Sequence, residues 1–473
     1  MSDSPGVDDA LPWLAPPSYD ASAASLGAHS AAIGEMMAGR ARLWLGPFPA
    51  PATLPAGYEG TALVVPTSGS TGAAKAVALS LGALYASQDA TAALFAADGT
   101  ASGTRGHGFW LPLLPPTHIA GVQVLARAHR TAQVLGLPVP ALPDPLPDLR
   151  GHFDAAAFVE LAGPALEQAE RAGLPALTSL VPTQLTRIVT GASGDDARAR
   201  ALLKRFAAVL VGGAATSPDV LARARGQRIA VRTTYGSSET AGGCVYDRRP
   251  LPGVSLSVLE PDDSGAGRLQ VSSPTLALGY LTEDGSTDGG VFVGPGPSAD
   301  EAGPDGARPD SVRPDGAGRS FRTSDLAELD ADGALTVLGR ADDVINTGGR
   351  KVIPQDVERM IDRSLMLRGL VRGAVVVGVP DPEWGQRVEA LVTLEEGADP
   401  DEAPALVRAA LRTTEVPAHM IPKRVHVVAE LPLLGIGKVD RAAARRHAGG
   451  LSGAPRPDRV RDRPHAADPH VTA

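Results

Sequence analysis

Apolar residues recur along the chain in short continuous runs, and these runs alternate with stretches that have helical spacing. Runs of this length are typical of buried strands. Buried strands are predicted at 62–65, 108–114, 176–182 and 207–213. Helices are predicted at 22–39, 76–95 and 122–132. Strands that alternate with helices indicate an α/β fold, in which mainly parallel sheets are covered on both faces.

A smaller region with its own strands and helices follows residue 341. Its strands are predicted at 373–380, 389–393 and 424–428, and its helices at 352–364 and 403–412. We therefore divide the chain into a large N-terminal domain, 1–341, and a small α+β C-terminal domain, 342–446. The segments 282–319 and 447–473 are rich in Gly, Pro, Asp and charged residues. We predict that they are a disordered insertion and a disordered tail.

Length, hydrophobic content, net charge and cysteine count limit the kinds of protein that this chain can be. The chain has 473 residues, of which 43% are hydrophobic, so it is long and apolar enough for two globular domains. Its net charge of -9 argues against non-specific binding to nucleic acid or to an anionic membrane. The single cysteine, Cys244, cannot form an internal disulfide and is expected to be a packed side chain. With neither a signal-peptide pattern nor a membrane-spanning run, we expect a cytoplasmic protein.

A loop rich in hydroxyls and glycines follows the first predicted strand. Gly69 and Gly72 lack the Cβ atom that restricts the backbone, so successive N–H groups can turn toward an anion. Hydroxyls and one lysine add further donors, and a polar surface turn is the alternative interpretation. The candidate phosphate-binding residues are Thr67, Ser68, Gly69, Ser70, Thr71, Gly72 and Lys75.

Four further segments complete a constellation of motifs, at 234–240, 321–325, 339–352 and 431–441. Together with 67–75, and in this order, they make the chain resemble the adenylate-forming superfamily of acyl- and aryl-CoA synthetases, adenylation domains and luciferases. The resemblance covers residues 61–442. It implies a large domain that binds ATP and the acid, and a small mobile domain that carries a catalytic lysine. It also implies ATP, Mg²⁺ and CoA as the partners of the reaction.

The resemblance assigns roles to particular residues. Lys438 would be the catalytic lysine that bridges the carboxylate and the α-phosphate, and Glu239 would bind Mg²⁺. Asp325 would bind the ribose, and Arg340 the ribose or a phosphate. Asp342 or Asp343 would be the hinge of the small domain. The remaining nucleotide-binding candidates are Gly212, Gly213, Ala214, Tyr235, Gly236 and Ser238.

The segment 113–121 carries a narrower resemblance. His118, with Gly121 three residues on and Arg127 nine residues on, resembles the o-succinylbenzoate–CoA ligase family of menaquinone biosynthesis. That family has a histidine at its acyl pocket, so His118 is a candidate for both catalysis and substrate binding. The substrate is a dicarboxylate, and Arg127 is the candidate partner of its second carboxylate, since guanidinium and carboxylate pair strongly. A solvated helix position for Arg127 and a core position for His118 are the alternatives.

The expected activity is therefore ATP-dependent ligation of o-succinylbenzoate to CoA through an acyl-adenylate, with pyrophosphate as the first product. Three alternatives stay open at this point. The acid could be another acyl or aryl acid, the acceptor could be a carrier-protein thiol, or the chain could be a non-catalytic binding homologue. The expected partners are small molecules, with no nucleic acid and no membrane span. The oligomeric state is open, with a homodimer as one option.

Overall fold

The strands of the protein fall into four groups along the chain. The computed structural model describes residues 11–67, 75–287, 290–294, 318–413, 416–433 and 439–453. The first group is β1 Trp13–Leu14, β2 Arg42–Trp44, β3 Thr61–Pro66 and β4 Ala76–Ser80. The second is β5 Phe109–Leu111, β6 Ala176–Leu180, β7 Ala208–Val211, β8 Val231–Ser237, β9 Gly242–Tyr246 and β10 Arg249–Pro250.

The third group belongs to the end of the large domain and the fourth to the small domain. The third is β11 Ser255–Leu259, β12 Gly267–Ser272, β13 Gly279–Thr282, β14 Gly285–Thr287, β15 Phe292–Val293, β16 Ser320–Leu329 and β17 Leu335–Arg340. The fourth is β18 Ile345–Thr347, β19 Arg350–Val352, β20 Val371–Asp381, β21 Gly385–Leu394 and β22 Arg424–Val427.

Helices cover these sheets. In the large domain they are α1 Ala23–Met37, α2 Leu81–Ala97, α3 Ile119–Leu135, α4 Ala155–Arg171, α5 Pro182–Thr190, α6 Gly194–Leu203 and α7 Pro218–Gly226. In the small domain they are α8 Pro354–Arg363, α9 Ala403–Arg412 and α10 Arg441–Gly453. Ser22 and Ser80 begin α1 and α2 as N-caps, because each hydroxyl accepts a backbone N–H of the first turn.

The strands form four sheets. The first has the order β1-β2-β3-β4-β13-β14, and the second has the order β10-β9-β8-β7-β6-β5. The third has the order β11-β12-β16-β15, with β17 beside β16. The small domain holds the fourth, with the order β19-β18-β21-β20 and β22 beside β21. The predicted α/β fold with a large and a small domain is confirmed.

Parallel pairing is less extensive than the sequence predicts. It joins β1 to β2 to β3, and β5 through β8, whereas every other pair in the large domain is antiparallel. A buried apolar run looks the same in a parallel and an antiparallel strand, so the pattern alone does not fix the direction. The short connection between β3 and β4 forces an antiparallel hairpin, since a parallel crossover needs a dozen residues or more.

The second sheet lies between two apolar layers, and its strands alternate between them. Trp110, Leu177 and Leu210 face the core that contains α1, α2 and α3. Phe109 and Val209 face the opposite core, which is built with α4 to α7. This alternation follows from the period of two in a strand. Burial on both faces makes the sheet rigid, so the loops at its edges are held in place.

Three predicted segments need correction. Residues 76–95 are not one helix, because 76–80 form β4 and the helix begins only at Leu81. The predicted disordered insertion 282–319 contains β14 and β15, each paired to a neighbouring strand; 288–289 and 295–317 lie outside the described residues. The predicted disordered tail begins too early, because α10 continues to Gly453. Within the described ranges no helix is both long enough and apolar enough to cross a membrane.

Candidate active site

The phosphate-loop candidate is the connection of a buried hairpin. Pro66 of β3 pairs with Ala76 of β4, and the Thr67 N–H donates to the Lys75 carbonyl at 3.2 Å. Both ends of the loop are therefore fixed by strands whose side chains are mostly fully buried. Ser68, Gly69, Ser70, Thr71 and Gly72 lie outside the described residues.

Lys75 and Glu239 are brought together by a tyrosine that the sequence analysis missed. The Lys75 ammonium lies 5.7 Å from the centre of the Tyr280 ring, and the Tyr280 hydroxyl donates to Glu239 Oε1 at 2.7 Å. Tyr280 reaches this position because β13 pairs with β4. Burial raises the Tyr280 pKa, and the Glu239 charge raises it further, so the hydroxyl stays protonated and keeps donating. A tyrosine in a short strand carries no motif that could have identified it.

Glu239 has one carboxylate oxygen left for a ligand. Its Oε1 accepts from Tyr280, and its Oε2 has no protein partner in the part of the chain that the structure describes. No group of three or more potential metal-ligating side chains occurs among the described residues. This donor set fits Mg²⁺, which is commonly held by one or two carboxylates together with substrate phosphates and water.

A second tyrosine–carboxylate pair lies at the end of β8. The Tyr235 hydroxyl donates to Asp325 Oδ2 at 2.6 Å. Burial raises the Tyr235 pKa, and the Asp325 charge adds to this effect. Asp325 pairs with Arg340 across β16 and β17. The structure thus brings the predicted ribose, adenine and phosphate residues of three separate motifs to one edge of the large domain.

The glycines after β7 are required by close packing against β8. A Cβ atom on Gly212 would lie 2.1 Å from the hydroxyl of Thr234, the neighbour of Tyr235. Gly213 has a φ of +85°, in the left-handed region that favours glycine. A Cβ atom on Gly236 would lie 2.0 Å from the carbonyl oxygen of Gly242. These contacts hold 212–214 beside the Tyr235 segment, and Ala214 and Ser238 follow the ends of β7 and β8.

The predicted hinge is tied to the base of the lysine loop. Asp343 pairs with Arg441 at 3.2 Å, and Arg441 also forms two short hydrogen bonds to Glu358 of α8. Leu433 pairs with Val439 and closes the loop that contains Lys438, although Lys438 itself lies outside the described residues. Asp342 instead accepts from Arg340 at 3.4 Å. Arg441 is the last residue of the motif 431–441, and the motif pattern alone predicts no role for it.

The acyl-pocket candidates lie on one helix. His118 is the N-cap of α3 and is partly buried. Gly121 lets the first turn approach the preceding loop, since a Cβ atom there would lie 2.0 Å from the Pro115 carbonyl oxygen. Arg127 is nine residues beyond His118, which is a rise of about 13 Å along the helix. The Cα atoms of His118 and Arg127 are therefore well separated along the helix axis.

Arg127 is a buried cation with neutral partners, not a solvated helix residue. It is only 6% exposed. Its guanidinium donates to the hydroxyls of Thr91 and Tyr246, each at 3.3 Å, and lies 5.4 Å from the centre of the Trp110 ring. Among the described residues no carboxylate pairs with it. Cys244 is also buried as predicted, and burial raises the pKa of its thiol to about 12.

Comparisons with known proteins match both domains. The model of the AMP-binding enzyme family matches residues 27–281, and the model of the AMP-binding enzyme C-terminal domain matches 361–438. The chain is 38% identical over 394 residues to a probable 2-succinylbenzoate–CoA ligase of Mycobacterium tuberculosis, which covers 83% of this chain and 86% of the relative.

Solved structures of similar fold include two nucleotide complexes. The o-succinylbenzoate CoA synthetase of Bacillus subtilis bound to an acyl-adenylate aligns with a TM-score of 0.58 at 19% identity, covering 92% of this chain and 87% of that chain. ATP-bound MatB of Rhodopseudomonas palustris aligns with a TM-score of 0.60 at 23% identity, covering 85% and 71%. At these identities the likeness shows the fold. The family models and the Mycobacterium relative show more: this chain belongs to the AMP-binding enzyme family of the adenylate-forming superfamily.

Proposed function

We propose that the protein is an ATP-dependent 2-succinylbenzoate–CoA ligase. In the first step the acid would attack the α-phosphate of ATP, giving an acyl-adenylate and pyrophosphate. In the second step the CoA thiol would attack the acyl carbonyl, giving the thioester and AMP. The observation that carries the proposal is the convergence of Lys75, Glu239, Tyr235, Asp325 and Arg340 on one edge of a chain that is 38% identical to a relative of that name.

The nucleotide would be held by paired side chains. Asp325, fixed by the Tyr235 hydroxyl, has the acceptor oxygens that a ribose requires. Lys75 and the loop from Thr67 would lie along the phosphates, and Arg340 beside Asp325 would add a second cation. Such an arrangement stabilises the charge that develops on the phosphate oxygens, and most catalysis of phosphoryl chemistry is of this kind.

Glu239 would hold Mg²⁺ on its available oxygen. The metal would supply positive charge to the phosphates during adenylation. The Tyr280 hydroxyl would keep the carboxylate turned toward that position, because its raised pKa leaves it a donor. Ser238, one residue before Glu239, has the hydroxyl that would bond the α-phosphate.

The small domain would supply Lys438 for the first step. A flexible ammonium can bridge the attacking carboxylate and the α-phosphate only while the small domain is closed over the site. The second step would follow rotation about Asp342 or Asp343. Arg441 would keep the lysine loop attached to the hinge during both, through Asp343 and Glu358.

The acid would lie along α3, between His118 and Arg127. Side chains on a helix lean toward its N-terminus, so the long Arg127 side chain shortens the separation of about 13 Å along the helix axis. A dicarboxylate with an aromatic ring between its two acid groups fits such a span. The activated carboxylate would lie at the His118 end, and the ring carboxylate would face Arg127.

The experiment is mass-spectrometric detection of acyl-CoA after incubation with ATP, Mg²⁺, CoA and one acid. The acids are 2-succinylbenzoate, benzoate and a medium-chain fatty acid. Thioester with 2-succinylbenzoate alone supports the proposal. Thioester only with another acid contradicts the substrate while the chemistry stands. Acyl-adenylate without thioester contradicts CoA as the acceptor and points to a carrier-protein thiol.

A further inference from the structure

A chain of buried amides runs from the turn after Glu239 to the Arg127 cavity. Gln123 of α3 donates to the Ala241 carbonyl at 2.6 Å and accepts from Gln88 of α2 at 3.2 Å. Gln123 is 1% exposed and Gln88 is 2% exposed. Because a carbonyl can only accept, Ala241 fixes the orientation of both amides. The Gln88 carbonyl oxygen is therefore the end of the chain.

That oxygen and one atom of Arg127 have no partner. Gln88 Oε1 and Arg127 Nε are both buried and unpaired, and both residues line one small cavity of about 10 Å³. The cavity has the size of one water molecule. A water there would donate to Gln88 Oε1 and accept from Arg127 Nε, and both unpaired atoms would be satisfied.

The buried positive charge at this cavity, that of Arg127, has no carboxylate partner among the described residues. Arg130, which also lines it, forms a two-pronged pair with Asp89. Burial lowers the pKa of His107, the third basic residue of the lining, so it is neutral at pH 7. Of the three basic residues in the lining, Arg127 alone is a cation with no carboxylate partner among the described residues. A buried charge is costly unless it is paired, so the Arg127 guanidinium favours an anionic partner.

We propose that Gln88 and Gln123 are positioning residues that set the selectivity for a dicarboxylic acid. Their neutral amides orient the Arg127 guanidinium, through one buried water, without neutralising it. The cation is thus kept for the second carboxylate of the substrate. A glutamate at position 88 would act as an internal counter-ion and compete with that carboxylate. This inference rests on the proposed function, since it assumes that Arg127 faces the acid.

The test compares two acids that differ by one carboxylate. They are 2-succinylbenzoate and 4-oxo-4-phenylbutanoate, which lacks the ring carboxylate. In the wild type we expect kcat/KM to favour the diacid about 30-fold or more, the usual loss when one partner of a buried charge pair is absent. In Gln88→Glu we expect this preference to fall to within about threefold of unity. Gln168→Glu, on α4 and away from Arg127, is the matched control and should keep the wild-type preference.

Gln88→Met provides a second variant, in case the glutamate prevents folding. It removes the acceptor without adding a charge. We expect the KM for 2-succinylbenzoate to rise about tenfold, the usual consequence of losing one hydrogen bond to a charged group, with a smaller change for 4-oxo-4-phenylbutanoate. A folded Gln88→Glu that keeps the wild-type preference, or an equal change of both KM values in Gln88→Met, overturns the inference alone. A wild type that forms no thioester from either acid overturns the proposed function, and the inference with it.

Discussion

The two ends of the candidate active site carry side chains of opposite charge. At the nucleotide end two carboxylates, Glu239 and Asp325, are each held by a tyrosine hydroxyl. At the proposed acyl end a buried cation, Arg127, is held by the neutral hydroxyls of Thr91 and Tyr246. The carboxylates suit a metal ion and ribose hydroxyls, whereas the cation suits an anion. The comparison indicates that each end carries the charge that its expected ligand lacks.

The largest effect is expected from removing Lys438, which we propose bridges the attacking carboxylate and the α-phosphate. Lys438→Ala should lower the rate of adenylation about 100- to 1,000-fold, because a positioned cation would be lost where charge develops. Pyrophosphate release measures this step. Lys423→Ala, an exposed lysine of the same domain, is the control and should leave the rate within about twofold. An unchanged rate in Lys438→Ala would remove this lysine from the mechanism.

The next largest effect is expected at the acyl end. Arg127→Met replaces the buried cation by an apolar chain of similar length, and the KM for 2-succinylbenzoate should rise about 30-fold or more. Steady-state kinetics with both acids separates a lost charge pair from general damage, since the acid without the ring carboxylate should be affected much less. Arg171→Met, an exposed arginine of α4 that pairs with Glu167, is the control and should leave both KM values within about twofold. Equal losses for both acids would show that Arg127 is only structural.

A smaller effect is expected from the tyrosine at the nucleotide end. Tyr235→Phe frees Asp325 from its 2.6 Å hydrogen bond, and the KM for ATP should rise about tenfold. The KM for the acid should not change. The raised Tyr235 pKa keeps the phenol neutral beyond its ordinary value of 10.0, so the wild-type KM for ATP should not show a tyrosine titration between about pH 9 and 11. A rise in that window that is absent from Tyr235→Phe would contradict the assignment.

The smallest effect is expected on the stability of the protein, at the turn that begins α3. Gly121→Ala would push a Cβ atom against the Pro115 carbonyl, and we expect the free energy of unfolding to fall by about 1–3 kcal/mol. Gly27 of α1, where an added Cβ atom would make only an ordinary 3.8 Å contact with Leu146, is the control. Gly27→Ala should raise the free energy of unfolding by up to about 1 kcal/mol through helix propensity. Urea unfolding measures the change in free energy for both variants. Equal changes would show that the close approach of Gly121 to the Pro115 carbonyl does not require a glycine.

The motifs and their positions at strand ends could be predicted from the sequence. The loops after β3 and β7 follow apolar runs, so the runs located Thr67 and Gly212. Tyr235 lies within β8, which has no apolar run, and it was identified by the motif 234–240. The direction of the strands could not be predicted beyond the helix-linked runs, because apolar content is the same in both directions. Tyr280 was missed for this reason: its contact with Glu239 depends on β13 lying antiparallel to β4, some two hundred residues away in sequence.

The hydrogen-bond partners of Arg127 could not be predicted from the sequence either. Thr91 and Tyr246 come from α2 and β9, which are distant in sequence from α3. The unpaired Gln88 oxygen results from packing in the folded protein. The helical spacing of a glutamine in the sequence does not show which of its side-chain atoms form hydrogen bonds. Short-range patterns thus identified the candidate ligand-binding residues, while the residues that hold those side chains in place required the fold.

A competition between two acids tests whether the buried Arg127 cation selects the substrate. The wild-type protein is incubated with ATP, Mg²⁺, CoA and equal amounts of 2-succinylbenzoate and 4-oxo-4-phenylbutanoate, and the two thioesters are quantified by mass spectrometry. We expect the thioester of the diacid to exceed the other about 30-fold or more. Equal amounts of the two thioesters would contradict it, because the buried cation at the acyl end would then play no part in choosing the acid.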